Sequence, residues 1–363
     1  MYTAYVSDVS YYSGKLEAYL RVKGIPFRFA EMGMRSFRRA ARATGVAQMP
    51  QIEMPDGTWL SDTTRIIRHF EAACAGPSMS PADPATRFAS LLLEDYGDEW
   101  LWRPALYYRW AFGDDMKLMS AQIARGMMRD LKLPFLLKRR FILARQRRVY
   151  LGGDGVTKET APQIEALYLQ TLDAMEAILS RRPYLMGERP VEADFGFFAS
   201  MFRHFSSDPT PAAIMRARAP NVLAWVARLW AARPGDIEAA ELPAAIPDDL
   251  APLLVRASSD YLPYLAANEA ALAREEPKVR YVQDGTNWTV PVSPYRAHCL
   301  SMLGAEYSAL GASSRATVDM MLGSGSHILA DKTSRELQDI AAPLPASRPV
   351  DRHWRGRAGR RSS

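Results

Sequence analysis

The chain has 363 residues, 48% of them hydrophobic, a net charge of +6 and two cysteines, Cys74 and Cys299. That length exceeds one ordinary core and predicts two or three domains with ample apolar material to bury. Two cysteines without paired spacing exclude a disulfide framework and a cysteine-rich zinc site, and they point to a reducing compartment. No basic, then apolar leader opens the chain, and no apolar stretch approaches the ~18–20 residues that span a bilayer, so a soluble cytoplasmic protein is expected.

In chain order, residues 2–6 read as a first strand and Ser7–Tyr12 as a turn. A helix follows whose apolar positions Leu16, Tyr19 and Leu20 recur at helical spacing, with Gly24 placed as a left-handed C-terminal cap. Ile25–Ala30 reads as a second strand and Arg35–Ala43 as a short basic helix stopped by Gly45. The stretch Met49 to Thr63 is the most informative. A strand entered through Pro50 meets an Asp56-Gly57 turn, a second strand and then a helix to about Ala73, for which Thr63 is the expected cap. The order βαβ–α–ββα predicts an α/β half-open sandwich over residues 1–77.

Ser78–Pro84 is a linker, because prolines and small residues interrupt both periodicities. From 85 to about 240 the period is helical, with Pro104 expected to kink or break one helix and Gly152–Gly155 separating two helical groups. An all-α domain is predicted there. Residues 242–342 form an extension in which strands Lys278–Gln283 and Asn287–Val292 flank an Asp284-Gly285 turn. Helices are expected from Pro294 to about Leu310 and from Ser314 to Leu322. Residues 343–363, rich in Pro, Arg, Ser and Gly, read as a disordered basic tail.

Charge is distributed unevenly. Lys132, Lys138, Arg139, Arg140, Arg145, Arg147 and Arg148 fall in one segment with no acid among them. Such a run is ordinarily a solvated face, and it also suits an anionic lipid or protein surface. Neither zinc-finger spacing nor an aromatic RNA-binding signature accompanies it, so no specific nucleic-acid partner is expected. The five histidines show no ligand spacing, and no metal is expected.

The run Val9-Ser10-Tyr11-Tyr12-Ser13-Gly14-Lys15-Leu16, continuing to Lys23-Gly24-Ile25-Pro26-Phe27, together with Met49–Thr63, resembles the glutathione transferases. The resemblance implies a thioredoxin-like N-terminal domain, an all-α C-terminal domain, glutathione as co-substrate and dimerisation. By position it implies that Ser10 activates the glutathione sulfur, with Tyr11 and Tyr12 as rivals because a phenol donates the same hydrogen bond. Tyr2 and Tyr5 are weaker rivals. Serines at both 10 and 13 leave no Cys-x-x-Cys pair, which disfavours disulfide exchange.

Met49 and Pro50 match the family's cis-proline pair, whose first residue holds the cysteinyl unit through its backbone. Asp62 and Thr63 match the acid and hydroxyl that grip the γ-glutamyl end, although the family more often has Glu or Gln followed by Ser. Gln48, or one of Arg35, Arg38, Arg39 and Arg42, is the expected donor for the glycyl carboxylate. Asp194 matches the buried aspartate of the family's internal folding signature, with Val191 where a Ser or Thr cap is usual.

A second-substrate pocket for a hydrophobic electrophile is expected to use Trp100, Arg103 and Tyr107, with Tyr108, Tyr11 and Tyr12 beside them. The expected activity is conjugation of the glutathione thiolate to such an electrophile, a detoxification chemistry. A thioether-forming lyase or isomerase is a variant of it. The alternative from another class is a non-catalytic adaptor of the same fold, docked on an anionic membrane or protein surface.

Overall fold

The computed structural model describes residues 1–330, and the tail expected past Pro343 lies outside them. The first part contains β1 (Tyr2–Val6), α1 (Tyr11–Lys23), β2 (Phe27–Glu31), α2 (Met34–Thr44), β3 (Gln51–Glu53), β4 (Trp59–Ser61) and α3 (Thr63–Ala73). The sheet order is β2-β1-β3-β4, with β1 parallel to β2 and antiparallel to β3, and β3 antiparallel to β4.

Strand periodicity explains the layering. Ala4 and Val6 face the core with Leu16, Ile52, Ile66 and Phe70, while Tyr5 points the other way into a small cluster with Met32 and Ala40 under α2. Gly24 ends α1 at φ 76°, where any larger side chain is strained. One expected cap is corrected. Asp62, not Thr63, caps α3, its carboxylate accepting from the Arg65 N–H at 3.2 Å. Asp62 does so at φ 74°, a sparsely populated region for a residue with a Cβ.

The helical part begins with α4 (Pro84–Glu99), capped by Asp83, and continues with α5 (Trp102–Ala111), α6 (Gly113–Arg125) and α7 (Phe135–Tyr150). The expected break falls at Trp100–Leu101, leaving Pro104 in the first turn of α5, where its missing N–H costs little. Next come α8 (Ala161–Leu179) and α9 (Glu192–Ser200), the latter running on as a π-turn through Phe205. After them stand α10 (Pro209–Arg218), α11 (Pro220–Ala231) and the short α12 (Pro234–Ile237). Helices α4 and α9 approach through glycines. A Cβ on Gly196 would sit 2.4 Å from the Glu94 carbonyl oxygen, so only glycine fits that crossing.

The extension is more helical than its sequence pattern indicates. Before the hairpin, α13 (Ala251–Arg256) passes through a π-turn into α14 (Leu262–Ala273). The hairpin of β5 (Lys278–Gln283) and β6 (Thr286–Pro291) turns on Asp284-Gly285, both at positive φ as the two-residue turn requires. Then follow α15 (Pro294–Ser308), α16 (Ala312–Leu322) and α17 (Ser326–Ala330). The extension packs on both earlier parts. Glu306 of α15 lies between Arg68 of α3 (3.3 Å) and Arg87 of α4 (3.4 Å), and Tyr261 donates to Asp95 at 2.7 Å.

Glu192, in the first turn of α9, is 6% exposed and accepts from the Ser90 hydroxyl at 2.8 Å. Burial is the main cause that pushes its carboxyl up to about 7. The folded state therefore holds a proton that the unfolded chain releases near ~4.3. Stability from this group is fully present below that value and is lost as pH rises toward 7. Glu192→Gln is expected to flatten the fall in the melting midpoint between about pH 5 and about pH 8. An unchanged slope in a calorimetric pH series would count against it.

Candidate functional site

The turn from β1 into α1 is held from behind. Arg203 donates to the Ser7 carbonyl at 2.6 Å and pairs with Glu17 at 2.7 Å. Arg109 donates to the Val9 carbonyl at 2.5 Å and pairs with Asp208 at 2.7 Å. With two carbonyls clamped by buried, neutralised guanidiniums, the following residue is fixed in place. That residue is Ser10, the N-cap of α1, in extended conformation, and its hydroxyl is not spent on capping a backbone N–H.

Ser10 faces a cavity of about 300 Å³. The same cavity is lined by Gln48, Met49, Pro50, Asp62 and Thr63, so it unites the positions picked from the two N-terminal stretches. The Met49–Pro50 bond is cis. The Gln51 side-chain amide ties this loop down by donating to the Val46 and Gln48 carbonyls, each at 3.1 Å. The four arginines of α2 do not line the cavity; Met34 and Phe37 of that helix do. Arg39 pairs instead with Glu53 and lies over the Trp59 ring.

Tyr11 and Tyr12 also line the cavity, but their hydroxyls are committed to α4. Tyr11 donates to the Gly97 carbonyl at 2.6 Å, and Tyr12 to the Glu99 carboxylate at 2.7 Å. Burial, reinforced by Asp98 and Glu99, raises both phenols well above their usual range. They hold their protons and point them at protein acceptors.

The acids Asp98 and Glu99, buried at the cavity floor, would oppose any anion placed there. Each has a cationic partner. Lys15, wholly buried, pairs with Asp98 and, at 2.6 Å, with Glu94. Arg296 pairs with Glu99 at 2.7 Å. A buried acid with its counter-charge in contact contributes little net field to its surroundings.

Arg296 belongs to the extension, and so does the neighbouring Tyr295, whose hydroxyl donates to the second carboxylate oxygen of Asp62 at 2.5 Å. Both line the cavity. The first turn of α15 that carries them is anchored by Asn268, which exchanges two hydrogen bonds of 2.8 Å with the Ser293 backbone. Sequence reading missed Tyr295 and Arg296. They stand more than two hundred residues from Asp62, in the segment least like the family, and no local signal marks them.

The apolar wall is also corrected. Trp100, Arg103 and Tyr107 do not line the cavity. Trp100 packs on Tyr261 and Tyr264, Arg103 lies 4.5 Å over the Trp288 ring, and Tyr107 donates to Glu165 at 2.6 Å. The opposite face of α5 supplies the wall, through Trp102, Leu106, Arg109 and Trp110, at helical spacing. Ile123, Ile142 and Tyr150 from the next two helices, with Met128 from the turn between them, complete it. Both faces of α5 are aromatic-rich, and the extension covers the one carrying Arg103, together with Trp100 at the end of α4.

A thioredoxin-like sheet followed by an all-α bundle, with a cleft between them, is the class of architecture this chain presents. The profile described as glutathione S-transferase, N-terminal domain, matches residues 5–78, and that described as glutathione S-transferase, C-terminal domain, matches residues 158–228. Over these two stretches, residues 5–78 and 158–228, the chain carries the two domains of the glutathione S-transferase family.

Similar solved structures include the beta-etherase LigF from Sphingobium sp. strain SYK-6, at 21% identity and TM-score 0.45, covering 65% of this chain and 97% of that one. A glutathione S-transferase from Pseudomonas fluorescens matches at 19% identity and TM-score 0.38, covering 62% and 93%. Another, from Methylobacillus flagellatus with GSH bound, matches at 15% and 0.39, covering 62% and 93%. No curated protein sequence matches the chain.

Proposed function

We propose that this protein conjugates the glutathione thiolate to a hydrophobic electrophile. Residues 1–77 would bind glutathione, the helical domain over 85–240 would supply most of the electrophile pocket, and the extension would close the site. The observation that carries the reading is the convergence on one cavity of Ser10, Gln48–Pro50 and Asp62–Thr63, facing the wall of Trp102, Leu106 and Trp110.

A free thiol ionises near ~8.5, and the thiolate is the nucleophile. Ser10, at the positive end of α1 with its hydroxyl not used as a cap, donates to the sulfur and favours its ionised form. The thiol proton leaves to solvent. The sulfur lone pair forms the new C–S bond, and the leaving group departs with the bonding pair or, for an activated alkene, the electrons move onto its activating group. Asp62 pairs with the α-ammonium of the γ-glutamyl unit, Thr63 donates to its carboxylate, the Met49 backbone holds the cysteinyl unit, and Gln48 donates to the glycyl carboxylate.

Calorimetric titration with reduced glutathione tests the reading, and saturable binding is the expected result. No heat in a folded protein would overturn it and leave the non-catalytic adaptor as the better account.

Tyr295→Phe tests the part given to the extension. The hydroxyl fixes the carboxylate of Asp62, a contact worth about 1.5 kcal/mol at most if only positioning is lost. The expected outcome is a rise in KM for glutathione of about threefold to tenfold with kcat nearly unchanged. A melting midpoint lowered with KM unaltered would make Tyr295 a tether only.

A further inference from the structure

Helix α7 has an exposed face most of which lies outside the cavity. Its inner side is anchored, with Ile142 buried in a cluster with Leu106, Trp110 and Ile123. On its outer side Leu136 is 68% exposed, Leu137 55% and Phe141 47%, continuing from Leu133 just before the helix. Residues 136, 137, 140, 141, 144, 147 and 148 fall on one stripe by helical spacing. Leu136, Leu137, Phe141 and Ala144 make it apolar, and Arg140, Arg147 and Arg148 make it basic, all exposed. Exposed large apolar side chains in one patch mark an interaction site.

We propose that α7 docks this protein on the surface of an anionic lipid bilayer. The apolar turns would enter the headgroup boundary, while the arginines meet lipid phosphates and carboxylates. Charge decides among the candidate partners. From 132 to 148 there is no acid, so a second copy placed face to face would bring like charges together. A nucleic acid would satisfy the arginines but leave Leu136 and Leu137 in water. An acidic bilayer satisfies both.

The location has a consequence for substrate access. Phe141 lines the cavity and is also part of the exposed patch. The apolar wall of the cavity therefore continues onto the docking face, which gives a membrane-dissolved electrophile a short apolar route inward. The docking itself does not depend on the glutathione reading.

Vesicle flotation of the full chain tests the proposal without glutathione present. At low salt the protein is expected to float with vesicles of phosphatidylglycerol mixed into phosphatidylcholine, and to stay behind with pure phosphatidylcholine. Raising salt, so that the Debye length falls from ~30 Å to ~8 Å, should release most of it. Leu136→Glu with Leu137→Glu, and separately Arg140→Glu with Arg147→Glu, are each expected to weaken binding by about tenfold or more.

Circular dichroism checks the helix. If the leucine pair perturbs it, the arginine pair decides alone. No flotation by the wild-type chain, or flotation equal in both variants, would overturn docking through α7. A dimer by light scattering that the leucine pair dissociates would assign the face to a second copy and overturn it as well.

Discussion

Ser10→Ala is expected to lower kcat/KM for conjugation by about 10-fold to 100-fold while leaving the melting midpoint within a degree or so of the parent, since a half-buried hydroxyl that makes no cap bond contributes little to stability. A hydrogen bond to a charged partner is worth ~1.5–3 kcal/mol, and each 1.4 kcal/mol is a factor of ten. The loss should appear as a change in the pH profile rather than as a uniform drop. The apparent pKa of the bound thiol would move up toward its free value of ~8.5, so the deficit is largest at neutral pH and narrows in alkali.

Tyr11→Phe and Tyr12→Phe are the controls. Their hydroxyls serve Gly97 and Glu99 of α4, so those variants should lose stability first and leave the thiol pKa in place. A Ser10→Ala protein with a normal rate and profile would return Ser10 to an ordinary turn residue. A displaced profile in Tyr12→Phe instead would move the role to the phenol.

The second large effect is on folding. Asp194 is fully buried, and its carboxylate accepts from the Leu185 N–H at 2.9 Å, the Val191 N–H at 3.1 Å and the Trp225 indole N–H at 2.9 Å. It closes half of a capping box, because Val191 at the cap has no oxygen to return the bond. Desolvation nevertheless pushes the carboxyl up to about 6, opposed by the three donors.

Asp194→Ala strands three buried donors at ~1–3 kcal/mol each, of which relaxation and water recover part. A loss of about 3–5 kcal/mol is expected, a large share of the 5–15 kcal/mol typical of a domain. Urea denaturation measures it directly. A variant with an unchanged midpoint but no activity would contradict the structural role.

The N-terminal elements were legible because each carries its own punctuation. Gly24 and Gly45 stop helices at positive φ, and Asp56-Gly57 turns the hairpin. The alternation of Ala4, Tyr5 and Val6 shows a central strand with both faces covered. The cap of α3 lies one residue before the expected one. Asp and Thr are both good capping residues, and only the backbone angle of Asp62 decides between them. The extension's hairpin was readable for the same reason as the first. Helices α13 and α14 were not, because their periodicity is broken by a π-turn and by Pro263.

By itself the sequence determined what depends on neighbours along the chain: the strand and helix order of the first domain, the stop signals, and the grouping of Ser10, Met49-Pro50 and Asp62-Thr63 as positions to watch. Tertiary structure alone decided what depends on which surfaces meet. It selected the Trp102 face of α5 over the Arg103 face, because Trp288 of the extension covers the latter. It brought Tyr295 to Asp62 and Arg296 to Glu99 across more than half the chain. Helical periodicity reports that a face is apolar, not what covers it, and a contact between distant segments leaves no trace in either one.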